Sequence, residues 1–164
     1  DDTQRRYTFD NNDSIKPFAS GLPATHVPGR HLPSFEVVDK ALKQLHDQQE
    51  LRAKCGAVHA AASADLQGDI VLLREDVGRH NALDKLLGSR ANNKHEDNAG
   101  FIVISSRASY EMVYRTAVRG IKTLVAASAP TAMAIELAEQ ADMNLIGFVR
   151  EGRQLIYAQA QQLS

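Results

Sequence analysis

Three short stretches of the 164-residue chain place arginine, hydroxyl and glycine residues directly after apolar runs. They are Arg74-Glu75-Asp76-Val77-Gly78-Arg79-His80-Asn81, Ser105-Ser106-Arg107-Ala108-Ser109 and Ser128-Ala129-Pro130-Thr131. Each stands between a strand-like run and a helix-like run. At such a turn the first amides of the helix have no partner within it, and the positive end of the helix dipole faces outward, so an anion is favoured there. Arg74, Arg79 and Arg107 are able to add paired N–H bonds to phosphate oxygens. Ser106, Ser109 and Thr131 bring hydroxyl donors. A phosphorylated or nucleotide-like ligand is the inference. The same hydroxyls also serve as ordinary helix caps, and Pro130 suits a first helical turn. What favours a ligand is that three such turns in one short domain would share one rim of a sheet, at the carboxyl ends of its strands.

Other chemistry is less well supplied. His59 falls in a strand-like segment, where a satisfied core histidine is the commoner role. His80 opens a helix, where a cation is disfavoured, and is expected to stay neutral and to hydrogen-bond. No carboxylate stands two residues after His80, and Ser106-Arg107-Ala108-Ser109 replaces a Cys-x-x-Cys pair after the next strand, so catalytic zinc is not expected. Cys55, the single cysteine, excludes an internal disulfide framework and an all-cysteine metal site. It is a weak candidate nucleophile, with only Lys54 beside it, and a buried cysteine at a strand start is the commoner case. A metal-free hydrolase would need a general base from Glu75, Asp76 or His80.

The elements that must position these residues follow from periodicity. Residues 1–33 are polar and broken by Pro17, Gly21, Pro23, Pro28, Gly29 and Pro33, which predicts an irregular tail or linker. Residues 34–164 form the core domain. Ser34 caps a helix carrying Phe35, Val38, Leu42 and Leu45 at helical spacing, ending near Gln48. Strands are predicted at 56–62 and 69–74, joined by a turn at Asp65–Gly68. A helix at 81–87 stops at Gly88, and 89–99 is loop. Strand 101–105, helix 109–119, strand 123–127, helix 131–141, strand 144–149 and strand 154–157 complete the order, with Arg150–Arg153 as a tight turn. Continuous apolar strands alternating with helices predict an α/β domain with a partly parallel, mixed sheet covered on both faces.

Composition narrows the classes. Hydrophobic residues make up 43% and charged residues 24%, enough for an ordinary folded core. A net charge of −1 leaves no global basic field, and 5% aromatics without tryptophan leave no base-stacking platform, so nucleic-acid binding is not expected. No run approaches the roughly 18 apolar residues of a membrane span. No apolar core follows Asp1–Arg6, so no signal peptide is expected. A soluble, cytoplasmic protein of a reducing compartment is the expectation. The absence of an initiating Met leaves a fragment of a longer chain as one reading.

Five blocks also occur together: Val58-His59-Ala60-Ala61, Arg74 through Lys85, Ser105 through Met112, Ser128 through Thr131, and Gly147-Phe148-Val149-Arg150-Glu151-Gly152-Arg153. In content, order and spacing they resemble the formate dehydrogenase accessory protein family, FdhD/NarQ, over roughly residues 34–164. The resemblance implies a cytidine-deaminase-like three-layer α/β/α core without zinc ligands. It implies a sulfurtransferase that takes persulfide sulfur from a cysteine desulfurase. The sulfur passes to the molybdenum bis(molybdopterin guanine dinucleotide) cofactor before that cofactor enters formate dehydrogenase. It assigns cofactor contact to Phe148, Val149, Arg150, Glu151, Gly152 and Arg153. With His59, Arg74, Asp76, Arg79, His80, Ser106, Arg107, Ser109 and Thr131 these make the expected binding rim, for which GDP is a partial mimic. A homodimer is expected by the same analogy. The family's sulfur-carrying Cys-Gly-x-Cys loop has no counterpart here, because Tyr7–Ser14 holds no cysteine. A cofactor-binding chaperone or scaffold that moves no sulfur is therefore the alternative.

Overall fold

A computed structural model describes residues 31–92, 100–150 and 153–161. Helix α1 (Phe35–Asp47) is capped as expected, with Ser34 accepting from the Val37 amide. Its buried residues Val38, Ala41, Leu42 and Leu45 form one stripe, while Asp39 and Lys43 pair at 2.7 Å on the wet face. Then follow α2 (Glu50–Cys55), β1 (His59–Ala64), β2 (Ile70–Asp76), α3 (Arg79–Asn92), β3 (Phe101–Ile104), α4 (Tyr110–Val118), β4 (Thr123–Ala126), α5 (Ala132–Gln140), β5 (Asn144–Arg150) and β6 (Arg153–Ala158).

The six strands form one mixed sheet in the order β2-β1-β3-β4-β5-β6. β3, β4 and β5 run parallel; β1 is antiparallel to both β2 and β3, and β6 is antiparallel to β5. The carboxyl ends of β2, β3, β4 and β5 therefore share a rim with the starts of β1 and β6. The register fixes this: His59 faces Asp76, Ala61 faces Ile104, and Arg150 faces Arg153.

Both faces of the sheet are covered. On one, Leu83, Leu86, Met112, Val113 and Leu137 from α3, α4 and α5 pack on Ile102, Ile104, Leu124 and Leu145. On the other, α1 packs on Ala60, Ala62, Ala64, Phe101 and Val103. The alanines of β1 explain themselves here. Ala61 faces α3 while Ala60, Ala62 and Ala64 face α1, so small side chains let helices close on a central strand from both sides. Their weak strand propensity is overridden by this packing.

Four expectations need correction. β1 begins at His59 rather than 56, because Glu50–Cys55 is helical. That helix has no buried residue to give it an apolar period; the Glu75 carboxylate caps it from outside, accepting from the amides of Leu51 at 2.9 Å and Arg52 at 3.3 Å. Cys55 consequently ends a helix and is exposed, rather than buried at a strand start. β2 runs on to Asp76, so Arg74 and Asp76 are strand residues, not turn residues. α3 continues through Gly88 to Asn92. Burial of Leu86 and Leu87, worth about 1.5–3 kcal/mol each, outweighs the ~1 kcal/mol cost of a mid-helix glycine. Residues 1–30 of the expected tail and 93–99 of the expected loop lie outside the described residues.

Candidate binding site on the sheet rim

A cleft of about 450 Å³ opens where the rim meets the helix starts. Two guanidinium side chains, Arg79 and Arg107, and one imidazole, His59, line it. The remaining lining residues, Ser105, Ser106, Ser109, Ser128 and Thr131, all carry hydroxyls, and among the described residues no carboxylate joins them. The volume lies within the range of small-molecule sites.

Each wall has a local cause. Ser109 caps α4, its Oγ accepting from the Met112 amide at 3.4 Å, and Thr131 caps α5, accepting from the Ala134 amide at 3.2 Å. Each cap satisfies one of the amides that open its helix. Ser105 is held by β1, its Oγ accepting from the Ala60 amide at 2.9 Å. Buried Ser106 donates to the Arg107 carbonyl. The β3–α4 and β4–α5 loops are stitched together: Arg107 Nε donates to the Ala129 carbonyl at 3.1 Å, and the Thr131 amide to the Ala108 carbonyl at 3.0 Å. Gly147 on β5 lets that strand approach the second loop. A Cβ there would stand 2.9 Å from the Ser128 carbonyl oxygen and 3.3 Å from Pro130 Cδ.

The structure thus brings together six of the expected residues: His59, Arg79, Ser106, Arg107, Ser109 and Thr131. Ser105 and Ser128 complete the lining. They ended the apolar runs in the sequence, the position from which strand-end ligand contacts are made.

Three expected residues have other destinations. Arg74 turns to α3, donating from Nε to Ser89 Oγ at 3.1 Å, and from its terminal nitrogen to the Leu73 carbonyl at 2.7 Å. Asp76 receives the Lys85 ammonium at 2.5 Å and the Gly78 amide at 3.0 Å. The Lys85 contact above all, then the Gly78 amide, holds the Asp76 carboxyl below the usual carboxylate range. His80 stands one layer behind the cleft, its Nε2 3.0 Å from Glu111 Oε2 and 3.4 Å from Ser109 Oγ. As candidate bases, Glu75 and Asp76 are already engaged, by α2 amides and by Lys85. Lys85 and Glu111 were not singled out from the sequence as functional, although both stand in the motif blocks, one or two turns into their helices.

Of the expected 148–153 segment, the ends of two strands reach the same rim. β5 carries Phe148, Val149 and Arg150 to its end, and Arg153 begins β6 opposite Arg150. Glu151 and Gly152 lie outside the described residues. Among the described residues no three His, Cys, Asp or Glu side chains group at metal-holding range, and no helix is long and apolar enough to cross a membrane.

Comparison with known proteins agrees with this architecture. The chain is similar to a protein of Cupriavidus necator named sulfur carrier protein FdhD, 50% identical over 144 residues, which covers 87% of this chain and 49% of that protein. A protein of the same name from Xanthomonas euvesicatoria is 54% identical over 123 residues, covering 75% of this chain and 44% of its own length. The chain therefore spans about half the length of these curated relatives. A crystal structure of a candidate formate dehydrogenase accessory protein from Desulfotalea psychrophila superposes with a TM-score of 0.73 at 23% identity, over 81% of this chain and 57% of the other, a likeness of fold. Residues 8–164 match the FdhD/NarQ family, and with half of its residues identical to curated members across most of its length, this chain belongs to that family.

Proposed function

We propose that this chain is the cofactor-handling part of a sulfur carrier for formate dehydrogenase. Its cleft would hold a guanine-nucleotide diphosphate of the molybdenum bis(molybdopterin guanine dinucleotide) cofactor. The observation that carries the reading is the composition of the cleft: among the described residues, two guanidiniums and five hydroxyls and no carboxylate, beside the starts of α3, α4 and α5. A pyrophosphate needs many N–H and O–H donors and disfavours a carboxylate in direct contact, and this lining supplies the donors. The residues fit such cargo. Arg79 and Arg107 would take phosphate oxygens, and the rim hydroxyls would donate to them. The names of the curated relatives support the sulfur-carrier role, and the Desulfotalea psychrophila neighbour is described as a candidate formate dehydrogenase accessory protein. The molybdenum centre, when bound, supplies the acceptor for the sulfur. A cysteine desulfurase as sulfur donor, a homodimer and a cytoplasmic setting belong to the same proposal.

One observation favours a second reading, a module that binds the cofactor without moving sulfur. The sequence has a single cysteine, Cys55, and it stands outside the cleft lining.

Calorimetric titration with GDP tests the binding claim. Saturable binding is expected, and Arg107→Ala should weaken it about 10-fold or more, the worth of a charge-assisted hydrogen bond or two. Arg107 is exposed and its Nε donates to the Ala129 carbonyl, so the variant should fold. No saturable heat with GDP overturns the reading.

A further inference from the structure

His80, Glu111 and Ser109 meet behind the cleft wall, and the chemistry of the three groups fixes where their hydrogens lie. His80 Nε2 is 3.0 Å from a Glu111 carboxylate oxygen. An ionised carboxylate only accepts, so Nε2 must carry the hydrogen. Ser109 Oγ sits 3.4 Å from the same nitrogen and also accepts from the Met112 amide. With donors facing its oxygen from both sides, the hydroxyl's own hydrogen has no protein acceptor in this cluster. Ser109 lines the cleft, so that hydrogen is left for whatever the cleft holds.

We infer that Glu111 and His80 are positioning residues that set the polarity of the Ser109 hydroxyl, holding it as a donor toward the cleft. The site then discriminates for ligands that present acceptor oxygens at the start of α4, and against donor-only groups such as an ammonium. The inference rests on the anion-binding reading above and names what enforces it. The opposite tautomer, with the hydrogen on Nδ1, would make Nε2 an acceptor. Ser109 would then donate to His80, and the cleft would lose a donor just where phosphate is to bind. Glu111 is what excludes that state. This gives an acidic residue beside an anion site a positive role, although its charge alone would repel the ligand.

Two measurements on the whole chain test this. Nitrogen-15 NMR of the neutral His80 ring should show the Nε2–H tautomer, and Glu111→Ala should move the population toward Nδ1–H. In the second, inorganic pyrophosphate is titrated into wild type, His80→Ala, Ser109→Ala and the double variant. His80→Ala should weaken binding about 3- to 10-fold when Ser109 is present and less than about 2-fold when it is not, since a shared hydrogen bond is lost only once. An Nδ1–H tautomer in wild type overturns the inference without any variant. Equal losses from His80→Ala in both backgrounds overturn it as well. Failure of the wild type to bind pyrophosphate or GDP removes the anion reading and the discrimination argued from it, while the tautomer still decides whether Ser109 is held as a donor.

Discussion

Adding one methyl group at two glycines should move stability in opposite directions. At Gly147 a Cβ would meet the Ser128 carbonyl oxygen at 2.9 Å, Tyr157 Cε2 at 3.2 Å and Pro130 Cδ at 3.3 Å. The first partner is backbone and cannot rotate away. Nor is its loop free to retreat, because the Ala129 carbonyl is held by Arg107 and the Thr131 amide by Ala108. Overpacking of this kind costs typically 1–3 kcal/mol. A loss of about 2 kcal/mol lowers Tm by roughly 4–8 °C for a chain of this length. Because the displaced loop carries Ser128 and Thr131, GDP affinity should fall with stability. At Gly88, inside α3, a Cβ would have nothing within 4 Å. There the methyl group removes unfolded-chain freedom and raises helix propensity, a gain of about 0.5–1 kcal/mol, or roughly 1–4 °C, with affinity unchanged. Calorimetric melts of Gly147→Ala and Gly88→Ala, each with a GDP titration, check both arms. A Gly147→Ala protein that melts within a degree of wild type would refute the claim that β5 and the β4–α5 loop are in contact through that glycine.

Lys85→Met should destabilise the chain at neutral pH. The contribution of Asp76, whose carboxyl is held below its ordinary range, is fully present above that range and disappears as pH falls through its lowered value, so the Tm gap between variant and wild type should be flat from about pH 5 to 8 and narrow in acid. Asn144→Leu should cost about 2–4 kcal/mol, because it leaves Thr123 Oγ1 and the Ala160 amide, now bonded at 3.0 and 2.8 Å in the interior, without those partners; urea melts measure it. Cys55→Ser should leave melting and GDP binding unaltered, since the side chain is exposed and outside the cleft. If Cys55 carries sulfur, its thiolate displaces the desulfurase thiolate from that enzyme's persulfide, and intact-mass spectrometry should show one added sulfur on wild type that the variant lacks.

Most of the fold was legible because its signals are local. Apolar runs at 101–104 and 123–126 are buried residue for residue, and Ser34, Ser109 and Thr131 cap the helices they precede. Gly120 takes a positive φ of 72° just past α4, the common glycine ending of a helix. What escaped depends on partners distant in sequence. α2 exists because Glu75, more than twenty residues on, caps it. α3 outlasts Gly88 because Leu86 and Leu87 are buried against the sheet and Ser89 and Arg90 reach β2 and β1 side chains.

The site was legible in residue type and in place, less so in direction, and one boundary accounts for much of the difference. Read as a turn, residues 74–81 would all face the rim. As strand, β2 keeps its alternation through Asp76: Arg74 and Asp76 both face α3, where Ser89 and Lys85 meet them, while Glu75 faces the other way and meets α2. Only after Gly78 does the chain turn, and Arg79 is the first arginine of the block to enter the cleft. Arg74 and Asp76 thus serve the site at one remove. They fasten α3, the helix that opens with Arg79, to the strand beside it. Substituting Arg74 should accordingly act on binding through the placement of α3, and its effect should track loss of stability, whereas that of Arg107, bound only to an exposed loop, should not.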